Sequence, residues 1–418
     1  MDFPEGFIWG SATAAHQVEG NNTNNDIWLL EHVKHSMFKE PSLDACDHYH
    51  RYPEDIKQLA DLGFNSYRFS IEWARVEPEE GHFSTAAVDH YRRMLMACHN
   101  HGIKPFVTFH HFSSPQWLIK AGGWESDSTP ALFARHCGHL AAELGDLIAG
   151  GCTINEVNIG RVLISSGILP PMDQIRAAPG WVDASGQLGI SVDDFNPFMF
   201  AVSEQGQRVV MAAHHQAVEA IRDTAATFPV GVTLAVQDIV AVKGGEAIAA
   251  KHQLEVNEQY LTDFVTDDFV GVRCYTRHRY DANGAMPTEE GVELTQMGYE
   301  FWPEALERSI RQAYEYSGLP VLVTENGLAS TDDSRRIAFI ERALQGVKNC
   351  LKDDIPMMGY TYWSLLDNYE WMLGYRPTFG LLAVDRTTQL RTVKDSAVWL
   401  GNIARTNRLG SQVQTIQR

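Results

Sequence analysis

Pro320 is followed by Val321-Leu-Val-Thr-Glu325-Asn-Gly327, three apolar residues that run into a carboxylate before Asn-Gly breaks the chain. A short apolar run closed by turn residues reads as a buried strand. A Glu at the end of such a strand must be paired, coordinated or functional, because burying it unpaired is costly. A second stretch repeats the pattern: Gly151-Cys-Thr-Ile-Asn155-Glu156-Val-Asn158. Two strands, each ending in a Glu beside an Asn, place two carboxylates across one pocket.

Working outward from these two, β-rich runs recur at Phe7–Thr13, Asn65–Ser70, Lys104–Phe109, Val230–Ala235, Phe269–Tyr275 and Met358–Ser364. With the two Glu-bearing runs, Gly151–Glu156 and Val321–Glu325, they make eight. Helical patterns separate them. Pro53 reads as the start of a helix with Ile56, Leu59 and Leu62 on its apolar face and Gly63 as its stop. Thr129-Pro130 opens another, and Pro303 begins a third that runs to Gly318. A fourth is lined by Ile337, Ile340, Leu344, Val347 and Leu351. Eight strands alternating with helices, with no glycine-rich phosphate loop after the first, predict a closed (β/α)₈ barrel, residues 1–418 forming one domain. Prolines and Asp-Asp punctuate residues 160–197, which read as a long loop over the mouth; the chain after Arg405 reads as a polar tail.

Composition narrows the function. Thirty-four basic and 53 acidic residues give a net charge of −19 without a basic stripe, which argues against nucleic acid or an anionic membrane as partner. A content of 44% hydrophobic residues supplies a large core, yet no stretch is long enough to span a bilayer. The N-terminus lacks the basic start and apolar core of a signal peptide. The six cysteines include no C-x-x-C pair and read as buried free thiols, so a cytoplasmic location is expected. His48-x-His50 and His99-x-His101 lack a carboxylate cluster at strand ends, so neither metal nor cofactor is expected. Trp73 and Trp117 read as packing aromatics, and the composition is compatible with a homo-oligomer.

Unusual side chains gather at the strand ends: Gln17 and Glu19, then Glu72, Trp73 and Arg75, then His110 and His111, Asn155 and Glu156, Arg273 and Tyr275, Glu325, and Trp363. A barrel's active site lies on that face. Together with Phe7-Ile-Trp-Gly10, Tyr67-Arg-Phe-Ser70, Tyr362-Trp-Ser-Leu-Leu-Asp-Asn-Tyr-Glu-Trp371 and Phe379-Gly-Leu381, these residues resemble glycoside hydrolase family 1, the β-glucosidase family, nearly end to end. The resemblance implies retaining hydrolysis of β-glucosides, and tolerance of galactosides and fucosides, with Glu325 as nucleophile and Glu156 as acid/base. Such chemistry needs two carboxyls about 5–5.5 Å apart, one to attack the anomeric carbon and one to protonate the leaving oxygen. Arg68 can supply the countercharge to Glu325. The resemblance also implies that Gln17, His111, Asn155, Glu370 and Trp371 bind the sugar hydroxyls, that Trp363 forms an apolar floor, and that Tyr275 contacts the nucleophile.

Three departures qualify it. Val157-Asn158 follows Glu156 where the family usually has Pro, which should relax the backbone there. Arg273 stands where the family usually has Asn, either to attract an anionic substrate group or to pair with a nearby carboxylate. The segment 280–296 is short. A 6-phospho-β-glycosidase is an alternative, although Glu370 would repel phosphate and Arg376 is the only candidate cation in its segment. A non-catalytic sugar-binding barrel and a transglycosylase are the others.

Overall fold

The computed structural model describes residues 2–410. The eight runs are strands β1 (Ile8–Thr13), β2 (Ser66–Ser70), β3 (Lys104–His110), β4 (Gly150–Ile154), β5 (Val230–Ala235), β6 (Phe269–Arg273), β7 (Val321–Asn326) and β8 (Met357–Trp363). All pair in parallel and close into a barrel, with β1 joined to β8 from Ile8 opposite Gly359 to Ala12 opposite Trp363. At that seam a Cβ on Gly359 would lie 2.3 Å from the Cβ of Ile8, so only glycine lets the two strands meet.

Eight helical segments pack outside. They are α1 (His48–Leu62), α2 (Thr85–Asn100), α3 (Thr129–Leu144), α4 (Glu204–Arg222), α5 (Glu246–Gln253), α6 (Ala305–Ser317), α7 (Asp333–Lys352) and α8 (Asp395–Thr406). Ser84 and Ser203 cap α2 and α4 by accepting from the backbone N–H groups of Ala87 and Gly206. Gly63 and Gly318 end α1 and α6 in the left-handed conformation, as their sequence suggests. At the bottom of the barrel, Asn407 accepts from the Trp9 indole at 2.9 Å and from the Phe3 amide at 3.1 Å. The polar tail expected after Arg405 is therefore pinned as far as Asn407, and residues 411–418 lie outside the described chain.

Two expectations need correction, and both turn on proline. Helix α1 starts at His48, not Pro53, which falls inside it. Its first turn is held by a buried network in which His48 meets Asp55 at 2.7 Å and Tyr67 at 3.0 Å, while Arg391 grips Asp55 through two nitrogens. That network offsets the backbone donor lost at Pro53. Residues 160–197 are not a long loop: they carry helices Ile159–Ser165, Met172–Ala177 and Pro179–Leu188. Pro171 precedes the second and Pro179 is the first residue of the third, where proline starts a helix instead of breaking one.

All six cysteines are buried and unpaired. Trp73 and Trp117 are packing residues, as expected, their indoles donating to Glu77 at 2.8 Å each. His99 faces the Leu147 carbonyl at 2.7 Å.

Candidate active site

The C-terminal ends of the strands surround a cavity of about 340 Å³. Glu325, the next-to-last residue of β7, is buried at its base. Its Oε1 accepts from Arg68 Nη1 at 2.7 Å, and its Oε2 accepts from the Tyr275 hydroxyl at 3.1 Å. Arg68 rises from β2 and also donates to Asn155 Oδ1 at 2.6 Å, so one guanidinium links the ends of β2, β4 and β7. Burial would favour loss of its proton, but the adjacent Glu325 reverses this and raises the Arg68 pKa. Removing one member of such a buried pair leaves an uncompensated charge, at a cost of about 3–5 kcal/mol. After β7 the chain turns tightly: a Cβ on Gly327 would sit 2.0 Å from the Trp363 carbonyl oxygen.

Glu156 follows β4 with a φ of +50°, a strained conformation for a side chain other than Gly or Asn. The missing proline does not relax this backbone. Val157 uses the N–H that proline would lack to bond the Thr233 carbonyl at 3.0 Å. Asn158 then ties the turn to β5, accepting from the Ala235 amide at 2.9 Å and donating to the Ala235 carbonyl at 3.1 Å. The departure at Val157 therefore exchanges proline stiffness for hydrogen bonds that hold the same position.

Burial pushes the Glu156 carboxyl up to about 7, with Glu325 adding to the rise; Arg273 and the Asn155 amide pull the other way. The Arg273 guanidinium lies 3.3 Å from Glu156 Oε1 and 4.3 Å above the Tyr275 ring. Of the two roles open to it, the structure places Arg273 against a carboxylate. Glu370 is pushed up to about 8, chiefly by burial, against the pull of Arg273.

The remaining residues gather as the sequence suggested. Gln17 Nε2 donates to the Tyr369 carbonyl at 2.6 Å and lies 3.4 Å from Glu370 Oε2. His111 lies 3.1 Å from Asn155 Nδ2, and its pKa is driven down by burial and by Arg68, which favours the neutral ring. Its ring stacks on Trp363 and on Trp371 at centroid separations of 5.8 and 6.2 Å. Gln17 Oε1, His111 Nδ1 and Glu156 Oε2 are buried without a partner in the protein. Buried polar atoms are rarely left so, and these three belong to residues that line one cavity. Arg376 is exposed and is not part of this wall.

Sequence reasoning missed the outer wall: Phe112, Ile159, Leu163, Ile168, Met199, Met297, Tyr299, Met372 and Leu373. The usable signal was the spacing of Ile159 and Leu163, four residues apart just beyond Glu156, which marks one helix face.

Paired carboxyls set among planar polar groups and indoles, at the C-terminal mouth of an α/β barrel, define the class: an enzyme that cleaves glycosides. A family model described as glycosyl hydrolase family 1 matches residues 1–271 and 243–409. The chain belongs to that family. It is 30% identical to beta-glucosidase A of Thermotoga maritima, covering 97% of this chain and 98% of the relative. Among solved structures it resembles the beta-glycosidase BGL167, with a TM-score of 0.95 and 53% identity over 99% of both chains. It also resembles the beta-glucosidase from Thermotoga maritima in complex with glucoimidazole, with a TM-score of 0.81 and 27% identity over 97% of this chain and 99% of that one.

Proposed function

We propose that the protein is a retaining β-glucosidase that removes terminal non-reducing β-glucosyl residues and tolerates β-galactosyl and β-fucosyl residues. The observation that carries this reading is the unequal setting of the two carboxyls. Glu325 is clamped by Arg68 and Tyr275, whereas Glu156 has a proton affinity raised to about 7.

In the first step Glu325 attacks the anomeric carbon and forms a covalent ester. The glycosidic bond breaks, its electron pair goes to the leaving oxygen, and Glu156 donates the proton that makes the leaving group an alcohol. The ester has no net charge on Glu325, so the repulsion that helped to raise Glu156 disappears. Glu156 then acts as the base, taking a proton from water as its oxygen attacks the anomeric carbon, and Glu325 is released as carboxylate.

Gln17 and Glu370 bracket the far end of the sugar and can meet a C4 hydroxyl in either orientation, which supports the galactosyl and fucosyl tolerance. A 6-phosphoryl group would meet no free countercharge in this cavity. Arg273, the only Lys or Arg lining the described cavity, is already engaged with Glu156.

The test is nitrophenol release from p-nitrophenyl β-glucoside, galactoside, fucoside, xyloside and 6-phosphoglucoside. Turnover of the first three is expected. Activity confined to the phosphorylated compound would overturn the placement of Glu370. Silence throughout, with a sugar-dependent rise in Tm, would make the protein a binding barrel.

A further inference from the structure

Two guanidiniums serve the site, one against each of its reacting carboxyls. Arg68 holds Glu325 at 2.7 Å, and Arg273 Nε lies 3.3 Å from Glu156 Oε1. Arg273 is the last residue of β6, with its side chain only 20% exposed and its guanidinium over the Tyr275 ring. Among the described residues, Glu156 is the one carboxylate in ion-pair contact with it. Glu370 also lies in its field, but burial pushes that carboxyl up to about 8, so it is largely uncharged at neutral pH. Asn155 Nδ2 reaches the same Glu156 oxygen at 3.2 Å, whereas Oε2 has no partner in the protein. Two donors therefore address Oε1 and leave Oε2 for the proton that is exchanged.

Cleavage moves a charge across this arrangement. Before it, Glu325 is anionic and Glu156 holds the proton. Afterwards the proton is on the leaving oxygen, Glu325 is an uncharged ester and Glu156 is the anion. The negative charge has passed from the guanidinium of Arg68 to that of Arg273, and the sum over the four groups is unchanged. From this placement we infer that Arg273 is a positioning residue for the intermediate: it pairs with the Glu156 carboxylate of the glycosyl-enzyme, favouring its formation and slowing its hydrolysis. The inference rests on the retaining reading above and extends it to the balance between the two steps.

With asparagine at position 273 the charge would leave a paired place for an unpaired one, and an uncompensated charge at a buried site is costly. Arg68 would not replace the lost cation, because it reaches Glu156 only through Asn155, whose Oδ1 it holds at 2.6 Å. After burial, Arg273 is the strongest influence on the proton affinity of Glu156, and it acts in favour of the anion. The first step gains from this, since Glu156 is a stronger acid when its anion is stabilised. The second step loses, because water must give its proton to a carboxylate that a cation already holds. A general lesion of the pocket would lower both rates together. A cation on Glu156 moves them in opposite directions, which sets the two explanations apart.

The experiment reads each step separately. Glycosylation is followed as kcat/KM for phenyl β-D-glucoside, whose leaving group needs a proton. Deglycosylation is followed in enzyme trapped with 2-deoxy-2-fluoro-β-D-glucosyl fluoride and freed of reagent, as the first-order return of activity in buffer. Both are taken on their pH-independent plateaus and kcat/KM is normalised to trapped sites, so neither a shifted titration nor misfolded enzyme enters. In Arg273→Asn, kcat/KM should fall about twofold while activity returns about twofold faster, a change of about fourfold in their ratio. Arg273→Lys, which keeps the charge, should hold the ratio nearer to wild type. Both rates falling together with the ratio unmoved, or a ratio equally changed in Arg273→Lys and Arg273→Asn, would overturn the inference while the retaining reading stands. Absence of a fluoroglucosyl adduct from the mass of treated wild-type enzyme, with phenyl glucoside still turned over, would overturn both.

Discussion

The base and the outer wall of the cavity are built on opposite principles. At the base, side chains from β2, β4, β6 and β7 are buried, charged and tied to one another, and Arg68 alone meets both Glu325 and Asn155. At the wall, residues on connecting helices and turns are mostly apolar, from buried Ile159 and Met199 to exposed Ile168. Chemistry requires fixed distances, which a barrel frame supplies. Recognition of a variable leaving group requires shape and dryness, which loops can change without disturbing the frame. Substitutions at the base should therefore alter rate for every substrate, whereas those at the wall should alter only the ranking.

The sharpest test of that contrast is Glu325→Ala. Loss of the nucleophile should reduce kcat by roughly 10⁴-fold or more for all substrates alike, by the scale of other nucleophile deletions. Wild-type turnover in that variant would remove the base from the argument. Glu156→Ala should come next, costing about 10²–10⁴-fold where the leaving group needs a proton, and much less for dinitrophenyl glycosides. Azide should rescue it and yield a β-glycosyl azide; an equal loss across leaving groups would contradict the acid/base role. Glu370→Gln should reduce kcat/KM by about 2–12-fold near neutral pH, the range expected for a hydrogen bond between uncharged groups, because the Glu370 carboxyl is pushed up to about 8, with larger losses for glucoside than for fucoside, which lacks the C6 hydroxyl.

The smallest effect belongs to Arg273→Asn and is best read from pH. Glu156 must be protonated to expel the leaving group, so kcat/KM should fall as pH rises through about 7. Arg273 favours the anionic form of Glu156, whereas burial and Glu325 oppose it, with Asn155 and Arg68 on the side of Arg273. Removing the guanidinium should therefore raise the proton affinity and move that limb to higher pH. Glu370, pushed up to about 8, is a second candidate for the limb. A pH limb that stays in place in Glu370→Gln but moves in Arg273→Asn assigns it to Glu156.

The sequence disclosed the base far better than the wall, for a physical reason. A barrel strand buried on both faces must be apolar, so Val321-Leu-Val ending in Glu325 and Cys152-Thr-Ile before Asn155 stand out. Asn155, Glu156 and Tyr275 lie just after such strands, and the closure of the barrel brings them together. The wall lacked that marker. Its residues are ordinary Ile, Leu and Met on short helices, and Pro170, Pro171 and Pro179 suggested a loop where two of them lead into helix starts. At Glu156 the absence of proline suggested looseness, because the compensating bond from Val157 comes from β5, more than seventy residues away in sequence. Arg273 left two roles open, because sequence gives no distance to Glu156.

The guanidinium of Arg68 also bears on how the chain reaches its working form. It joins β2 to β7 across 257 positions of sequence, and β1 closes on β8 across a longer span, with Ile8 opposite Gly359. No fragment lacking either β2 or β7 can bring Glu325 to its countercharge. Contacts so distant along the chain are late and slow to form. Recovery of turnover after dilution from denaturant should therefore lag the return of helical circular dichroism, and its rate should report the final joining of the first strand to the last.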